Sequence, residues 1–294
     1  MTEKMNLSKP ITELMKQRFS CRSYSETPID KNIQKRLNQF CAEKTTGPFG
    51  TKSRFKLVAS QEGDSEALKG LGTYGFIKSA SGFIIGVSKE TDKHLEDFGY
   101  LMEEIILFAT DLGLGTCWLG GTFTRSSFAE RVSPQDGEII PAVTATGNIG
   151  GKPRKFDERI RKAAGSDHRL PWDQLFFDGE VDTPLSQAEA GDYSMPLEML
   201  RIAPSASNKQ PWRIFKDQES WHFYLQRTSG YRDNIYIAKL EIADMQRIDM
   251  GIAMCHFELA TIEIGLEGTW EIKDPLRESP SDGMEYIVSW VQKS

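Results

Sequence analysis

Near the start of the chain, Arg18, Ser20 and Arg22 stand two residues apart in the segment RFSCR. Successive side chains of an extended segment alternate between faces, so these three share one face and can close two guanidinium forks and a hydroxyl on one anion. Arginine's planar fork suits a phosphate, although the same spacing also suits a solvated basic turn. A second stretch runs Pro204, Ser205, Ala206, Ser207, Asn208, Lys209, Gln210, Pro211, Trp212. Prolines fix its backbone at either end, and its small hydroxyl and amide groups can address the edge of a planar heteroaromatic ring, or serve as ordinary turn chemistry in a hairpin. The third, GLGTCWLGG from Gly113 to Gly121, could let backbone amides approach a flat ligand, or could simply cap a helix and open a strand. Glu103 and Glu104 are adjacent carboxylates, yet on an amphipathic helix they are expected on the solvated face and not in catalysis.

Composition excludes several classes. The 294 residues carry a net charge of −6 and give no basic footprint for nucleic acid or an anionic membrane, so an anionic ligand must be met by local clusters. No stretch approaches the roughly 18 apolar residues of a membrane helix, and the N-terminus lacks an apolar signal region, so a cytoplasmic protein is expected. The four cysteines lack CxxC spacing and nearby histidines, which argues against a metal site; Cys41 and Cys255 fit apolar helical patterns as core residues.

The elements that must position these residues are written partly twice. Asp97 to Trp118 and Asp249 to Trp270 align without a gap at a constant offset (249 − 97 = 152), pairing Asp97 with Asp249, Gly99 with Gly251, Met102 with Met254, Gly113 with Gly265, Leu114 with Leu266 and Trp118 with Trp270. One repeat of about half the chain reads as two related lobes. The first copy has helical apolar spacing from Leu95 to Leu112, with Gly113 at a left-handed cap; the second places Met250, Ala253, Phe257, Thr261 and Ile264 inward. Ahead of the first copy, Ser8 can cap a short helix that delivers RFSCR, a second helix follows Asp30, and RFKLV reads as a strand. Phe83 to Val87 is continuously apolar, which favours a buried strand without excluding a buried helix. Short helices are expected near Ser126 to Arg131 and Asp157 to Ala164, with a strand from Ile139 to Ala145 and a basic turn, GNIGGKPRK. The lobe boundary falls between Gly179 and Asp192, giving lobes 1–185 and 186–294. In the second, Leu197 to Arg201 reads as helix, Trp212 to Phe215 and Trp221 to Leu225 as a hairpin, and Tyr286 to Val291 as a closing strand.

Taken together, Arg18/Ser20/Arg22 after an N-terminal helix, the turn Pro204, Ser205, Asn208, Gln210, Pro211, Trp212, the core helix ending in Gly113 to Gly121, and Arg169 before Leu170-Pro171 resemble the FMN-dependent nitroreductase family, of the fused, internally duplicated type. That resemblance implies an α+β fold, a three-layer α/β/α sandwich with two lobes forming a pseudo-dimer in one chain. It implies FMN as cofactor, with Arg18, Ser20, Arg22 and Arg169 on the phosphate, Leu119, Gly120 and Gly121 near the isoalloxazine ring, and Pro204, Ser205 and Asn208 closing the ring from the second lobe. It implies an enzyme: hydride passes from NAD(P)H to FMN and then to a nitroaromatic, quinone or similar acceptor, with no indispensable acid–base residue because the cofactor carries the reaction. A flavin-binding or sensor protein without turnover is the alternative. The fusion could leave the chain monomeric.

One departure matters. Where ordinary members carry the PSxxN turn of the first half, this chain has TTGPFGTK; Lys52, Phe55 and Lys56 stand against Lys209, Trp212 and Arg213 (209 − 52 = 157), but the serine and asparagine are gone. The stretch standing roughly where the second lobe would need RxSxR is DGEVDTPL, whose acids would repel a phosphate. One composite flavin site per chain is therefore expected.

Overall fold

In the computed structural model, the residues described are 5–64, 66–150, 154–180, 182–231, 242–273 and 283–293. Residues 151–153 of the basic turn GNIGGKPRK and Val181 of DGEVDTPL lie outside them. The first sheet comprises β1 (Ser53–Ala59), β2 (Gly82–Lys89), β3 (Leu114–Leu119), β4 (Glu138–Ile139) and β5 (Val143–Asn148). Its order is β1-β2-β5-β3, with β4 beside β2. The second sheet holds β6 (Phe176–Asp178), β7 (Trp212–Asp217), β8 (Ser220–Gln226), β9 (Gly268–Glu271) and β10 (Met284–Gln292), in the order β6-β7-β8-β10-β9. Apart from β4 and β6, the two sheets have the same strand order, with β1, β2, β3 and β5 standing where β7, β8, β9 and β10 stand. β6 runs parallel to β7 on the edge that has no counterpart beside β1, so residues 176–178, counted in the first lobe from sequence, belong to the second sheet.

Helices α1 (Ile11–Gln17), α2 (Lys31–Glu43), α3 (His94–Asp111), α4 (Arg125–Val132), α5 (Lys155–Ala163), α6 (Ser194–Arg201) and α7 (Met245–Glu263) complete the chain. α3 and α7 are the two copies of the repeat, and they cross at the glycines paired in its register. A Cβ on Gly99 would meet the Ile248 backbone carbon at 3.0 Å, and one on Gly251 would meet the Glu96 carbonyl carbon and the Tyr100 nitrogen at 2.8 Å. Neither position admits a side chain, so the backbones touch there. The matching aspartates do matching work. Asp97 accepts from the Phe49 and Thr51 N–H groups at 2.8 Å each, and Asp249 accepts from the Ala206 N–H at 2.9 Å, so α3 holds the loop that precedes β1 and α7 the loop that precedes β7.

Both helices are buried around nearly their whole circumference, between apolar faces that include Phe98, Met102, Ile105 and Phe257. A second cluster, with Val58, Ile85, Phe128 and Val143, fills the far face of the first sheet under α4, giving helix, sheet and helix in three layers. Gly113 has φ of 80° and Gly265 79°, the left-handed ends expected of both copies. Cys41 and Cys255 are fully buried, and β1 and β2 fall on RFKLV and FIIGV. Several expectations are corrected. Glu103 and Glu104 are not on a solvated face; they are 0% and 1% exposed, because α7 and β3 cover the side of α3 that an amphipathic reading leaves to water. Ile264, expected inward, is 43% exposed, since α7 has ended at Glu263. Pro10, not Ser8, occupies the α1 N-cap, while the Ser8 hydroxyl donates to Asp111 at 2.5 Å. The strand expected over Ile139 to Ala145 is two strands, broken around Pro141, which has no N–H for a ladder.

Candidate functional site

α1 is followed by its capping residue Arg18, whose φ of −61° and ψ of 132° turn the chain extended. The extension is fixed by β3: Ser20 bridges Thr116 in parallel, and the Cys21 N–H donates to the Thr116 carbonyl at 2.8 Å. Alternation then follows. Cys21 enters the core at 3% exposure, while Arg18, Ser20 and Arg22 line one cavity of about 220 Å³; Phe19, next to the end of α1, departs from the alternation and lines it too.

The opposite wall comes from the turn before β7. Pro204, Ser205, Ser207 and Asn208 line the same cavity, in a turn where Ser207, Asn208 and Gln210 have φ of 50°, 56° and 49°. Three non-glycine residues in the left-handed region within four positions store strain, of order 1 kcal/mol or more each, that surrounding bonds must hold. Those bonds are specific. Ser205 Oγ accepts from the Gln210 N–H at 2.9 Å, Gln210 Oε1 accepts from the Leu170 N–H at 2.8 Å, and Asn208 Nδ2 donates to the Gly165 and His168 carbonyls at 2.7 and 2.8 Å. Arg169 completes the link, its Nη1 donating to Asn208 Oδ1 at 2.8 Å and its Nη2 to the Ile202 carbonyl at 3.1 Å. The turn is thereby tied to the segment that follows α5.

Among the described residues four arginines, Arg18, Arg22, Arg161 and Arg169, line this cavity and no acidic side chain does, while Arg161 is ion-paired with Asp167 beside it. Burial lowers the pKa of the Arg18 guanidinium, against the pull of Glu103; burial and then the charges of Arg18 and Arg201 lower that of Arg169. The Nε atoms of both arginines are buried without a hydrogen-bond partner among the described residues. Buried cations that repel each other, with donors left over, are a seat for an anion. The volume is below the roughly 300–1,000 Å³ of pockets that hold whole small molecules, and matches the phosphate end of a nucleotide better than an entire flavin.

Leu119, Gly120 and Gly121 are not brought to this cavity. Leu119 is 3% exposed, and a Cβ on Gly120 or Gly121 would run into the side chain of Met245 or of Ile242 (2.7 Å from Gly121 to Ile242 Cδ1). Beneath the cavity lies a buried group the sequence reading misplaces. Glu103 Oε1 stands 3.0 Å from His256 Nε2 and 3.8 Å from Arg18 Nε, and Glu103 Oε2 accepts from Trp118 Nε1 at 2.8 Å.

A family model described as "Putative TM nitroreductase" matches residues 10–261, most of the chain. The chain belongs to this nitroreductase family. Among solved structures, one described as a putative nitroreductase from Thermotoga maritima MSB8 is 17% identical, with a TM-score of 0.58 over 99% of this chain and 95% of that one, a likeness of fold. A nitroreductase with bound FMN from Bacteroides fragilis is 18% identical and covers 50% of this chain and 93% of that one at a TM-score of 0.39. Curated proteins yield no match. No helix among the described residues is long and apolar enough to cross a membrane.

A second cavity, of about 650 Å³, is lined by residues that include Thr45 to Pro48 and Gly265 to Trp270. Its charged lining is Glu43, Glu104, Glu258 and Glu267 with Lys44 and Lys293, and Lys44 is already paired to Glu104 at 2.7 Å. Sequence reasoning missed Arg161 and Ser166 in the first cavity, which have no motif, and His256. A signal for His256 existed: in the repeat register it stands against Glu104, beside Glu103 on the facing core helix.

Proposed function

We propose that the chain is an FMN-dependent oxidoreductase of nitroreductase type, with one flavin in a composite site built by both lobes of a pseudo-dimer. The observation that carries this reading is the cavity, with no acid among its described lining residues, in which Arg18 and Arg169 are buried with Nε–H donors that have no partner among the described residues, facing a strained turn from the other lobe. Bound FMN would supply hydride transfer, taking a hydride from NAD(P)H and giving it to a nitroaromatic, quinone or similar acceptor. The chain's own part is positional. Arg18, Ser20, Arg22 and Arg169 would hold the phosphate; Ser205 and Asn208, with Pro204, would fix the flavin from the second lobe, and Leu119, Gly120 and Gly121 would approach its ring side. Family membership supports the redox class, and the matching strand orders and paired Asp97 and Asp249 support the pseudo-dimer. The second cavity, with four carboxylates among its lining groups, would repel a phosphate.

Gly120 and Gly121 are covered by Met245 and Ile242, which favours a second reading, a flavin-binding protein without turnover. Titration of the purified chain with FMN, followed by anaerobic NAD(P)H, separates them. Bleaching of a bound flavin spectrum supports the reductase; a bound flavin that does not bleach supports the binder; no bound flavin removes both.

A further inference from the structure

We infer that Glu103 and His256 are positioning residues, a buried pair sharing one proton that keeps the Arg18 guanidinium free to face an anion in the cavity. This rests on the phosphate-holding reading of that cavity. His256 is fully buried on α7, and each ring nitrogen faces an oxygen: Nδ1 lies 3.0 Å from the Met199 carbonyl, and Nε2 lies 3.0 Å from Glu103 Oε1. A carbonyl oxygen only accepts, so Nδ1 carries a hydrogen. An ionised carboxylate also only accepts, so a second proton sits either on Nε2 or on Glu103. In both arrangements the pair sums to zero charge, and Arg18 remains a net positive charge beside it.

The carboxylate is fully engaged. His256 takes Oε1, Trp118 Nε1 donates to Oε2 at 2.8 Å, and Arg18 Nε stays at 3.8 Å, beyond a hydrogen bond. Without the proton shared with His256, Glu103 would be a buried anion whose counter-charge is Arg18, and it would draw the guanidinium in and cancel the charge offered to the ligand. The other ionisable groups around the pair do not replace that proton. From α3, Glu104 is paired to Lys44 of the segment after α2; from β3 comes the thiol of Cys117; from α7 comes the thiol of Cys255; from α6 only the Met199 carbonyl. Burial pushes the Cys117 thiol up to about 11 and Cys255 well above its ordinary value, so both remain neutral. The pair also crosses the lobes, since Glu103 and Arg18 belong to the first and His256 to the second.

The test measures FMN affinity by flavin fluorescence on the full chain and its variants. His256→Phe exposes Arg18 to capture and should raise Kd about tenfold or more. The double variant Glu103→Gln/His256→Phe removes the capturing acid and should return Kd to within about threefold of the unaltered chain. A merely structural role for the pair would make the double variant at least as weak as the single. If His256→Phe does not fold, His256→Gln, which keeps a donor to Glu103 but brings no extra proton, should shift Kd in the same direction and be reversed by the same Glu103→Gln change. Unchanged affinity in the histidine variants, or no reversal in the double, overturns the inference while leaving FMN binding intact. Failure of the unaltered chain to bind FMN removes the cofactor reading and this inference together.

Discussion

Replacing Gly251 by alanine tests whether the two lobes are held at the crossing of α3 and α7. A Cβ there would lie 2.8 Å from both the Glu96 carbonyl carbon and the Tyr100 nitrogen, with the carbonyl oxygen closer still. All three are backbone atoms of a buried helix, so no side chain can swing aside. Restoring ordinary contact to that oxygen requires the helices to part by about 1.5 Å. Overpacking of this kind costs about 1–3 kcal/mol, and the rigidity of backbone against backbone puts this case at the upper end. The gain in helix propensity on replacing glycine returns at most about 1 kcal/mol, leaving a net loss of roughly 2 kcal/mol. Because Asp249, two residues away, holds the Ala206 N–H, the same displacement moves the Pro204 to Asn208 turn relative to Arg18 and should weaken FMN binding too. Urea unfolding followed by circular dichroism measures the first effect and flavin titration the second. A Gly251→Ala chain as stable as the unaltered one would refute the close crossing.

Other expectations follow from the site. Arg18→Ala should abolish measurable FMN binding while leaving the fold intact by circular dichroism, because it removes the most deeply buried cation of the cavity. Asn208→Ala loses its bonds to Arg169, Gly165 and His168 and should weaken FMN binding by about tenfold, at roughly 0.5–1.5 kcal/mol per bond with partial replacement by water. Asp249→Asn should raise the melting temperature at pH 7. Burial pushes the Asp249 carboxyl well above its ordinary value, so its contribution to stability is full below the unfolded value of about 3.9 and is lost as pH rises through the folded value; the advantage of asparagine should close toward pH 4.

Much of this was legible in the sequence for physical reasons. The ungapped repeat marked α3 and α7 as two copies of one helix, and Gly99 and Gly251, paired in its register, stand where the two backbones touch. RFSCR was readable because strand alternation sorts Cys21 from its neighbours. Glu103 and Glu104 were not, because an amphipathic pattern assumes one covering surface, and α3 is covered by β3 and α7 together. The broken strand at Pro141 and the short edge strands β6 and β9 escaped notice because their pairing is settled by distant partners. Arg161 reached the cavity only through the packing of α5 against the loop from Ser166 to Arg169, which no local spacing encodes.

The claim that both lobes build a single flavin site is tested most directly by stoichiometry. Equilibrium dialysis of the full chain against FMN, with flavin absorbance set against protein concentration, should saturate at one FMN per chain. Saturation at two would show that the acidic second cavity also binds, and no saturable binding would remove the site itself.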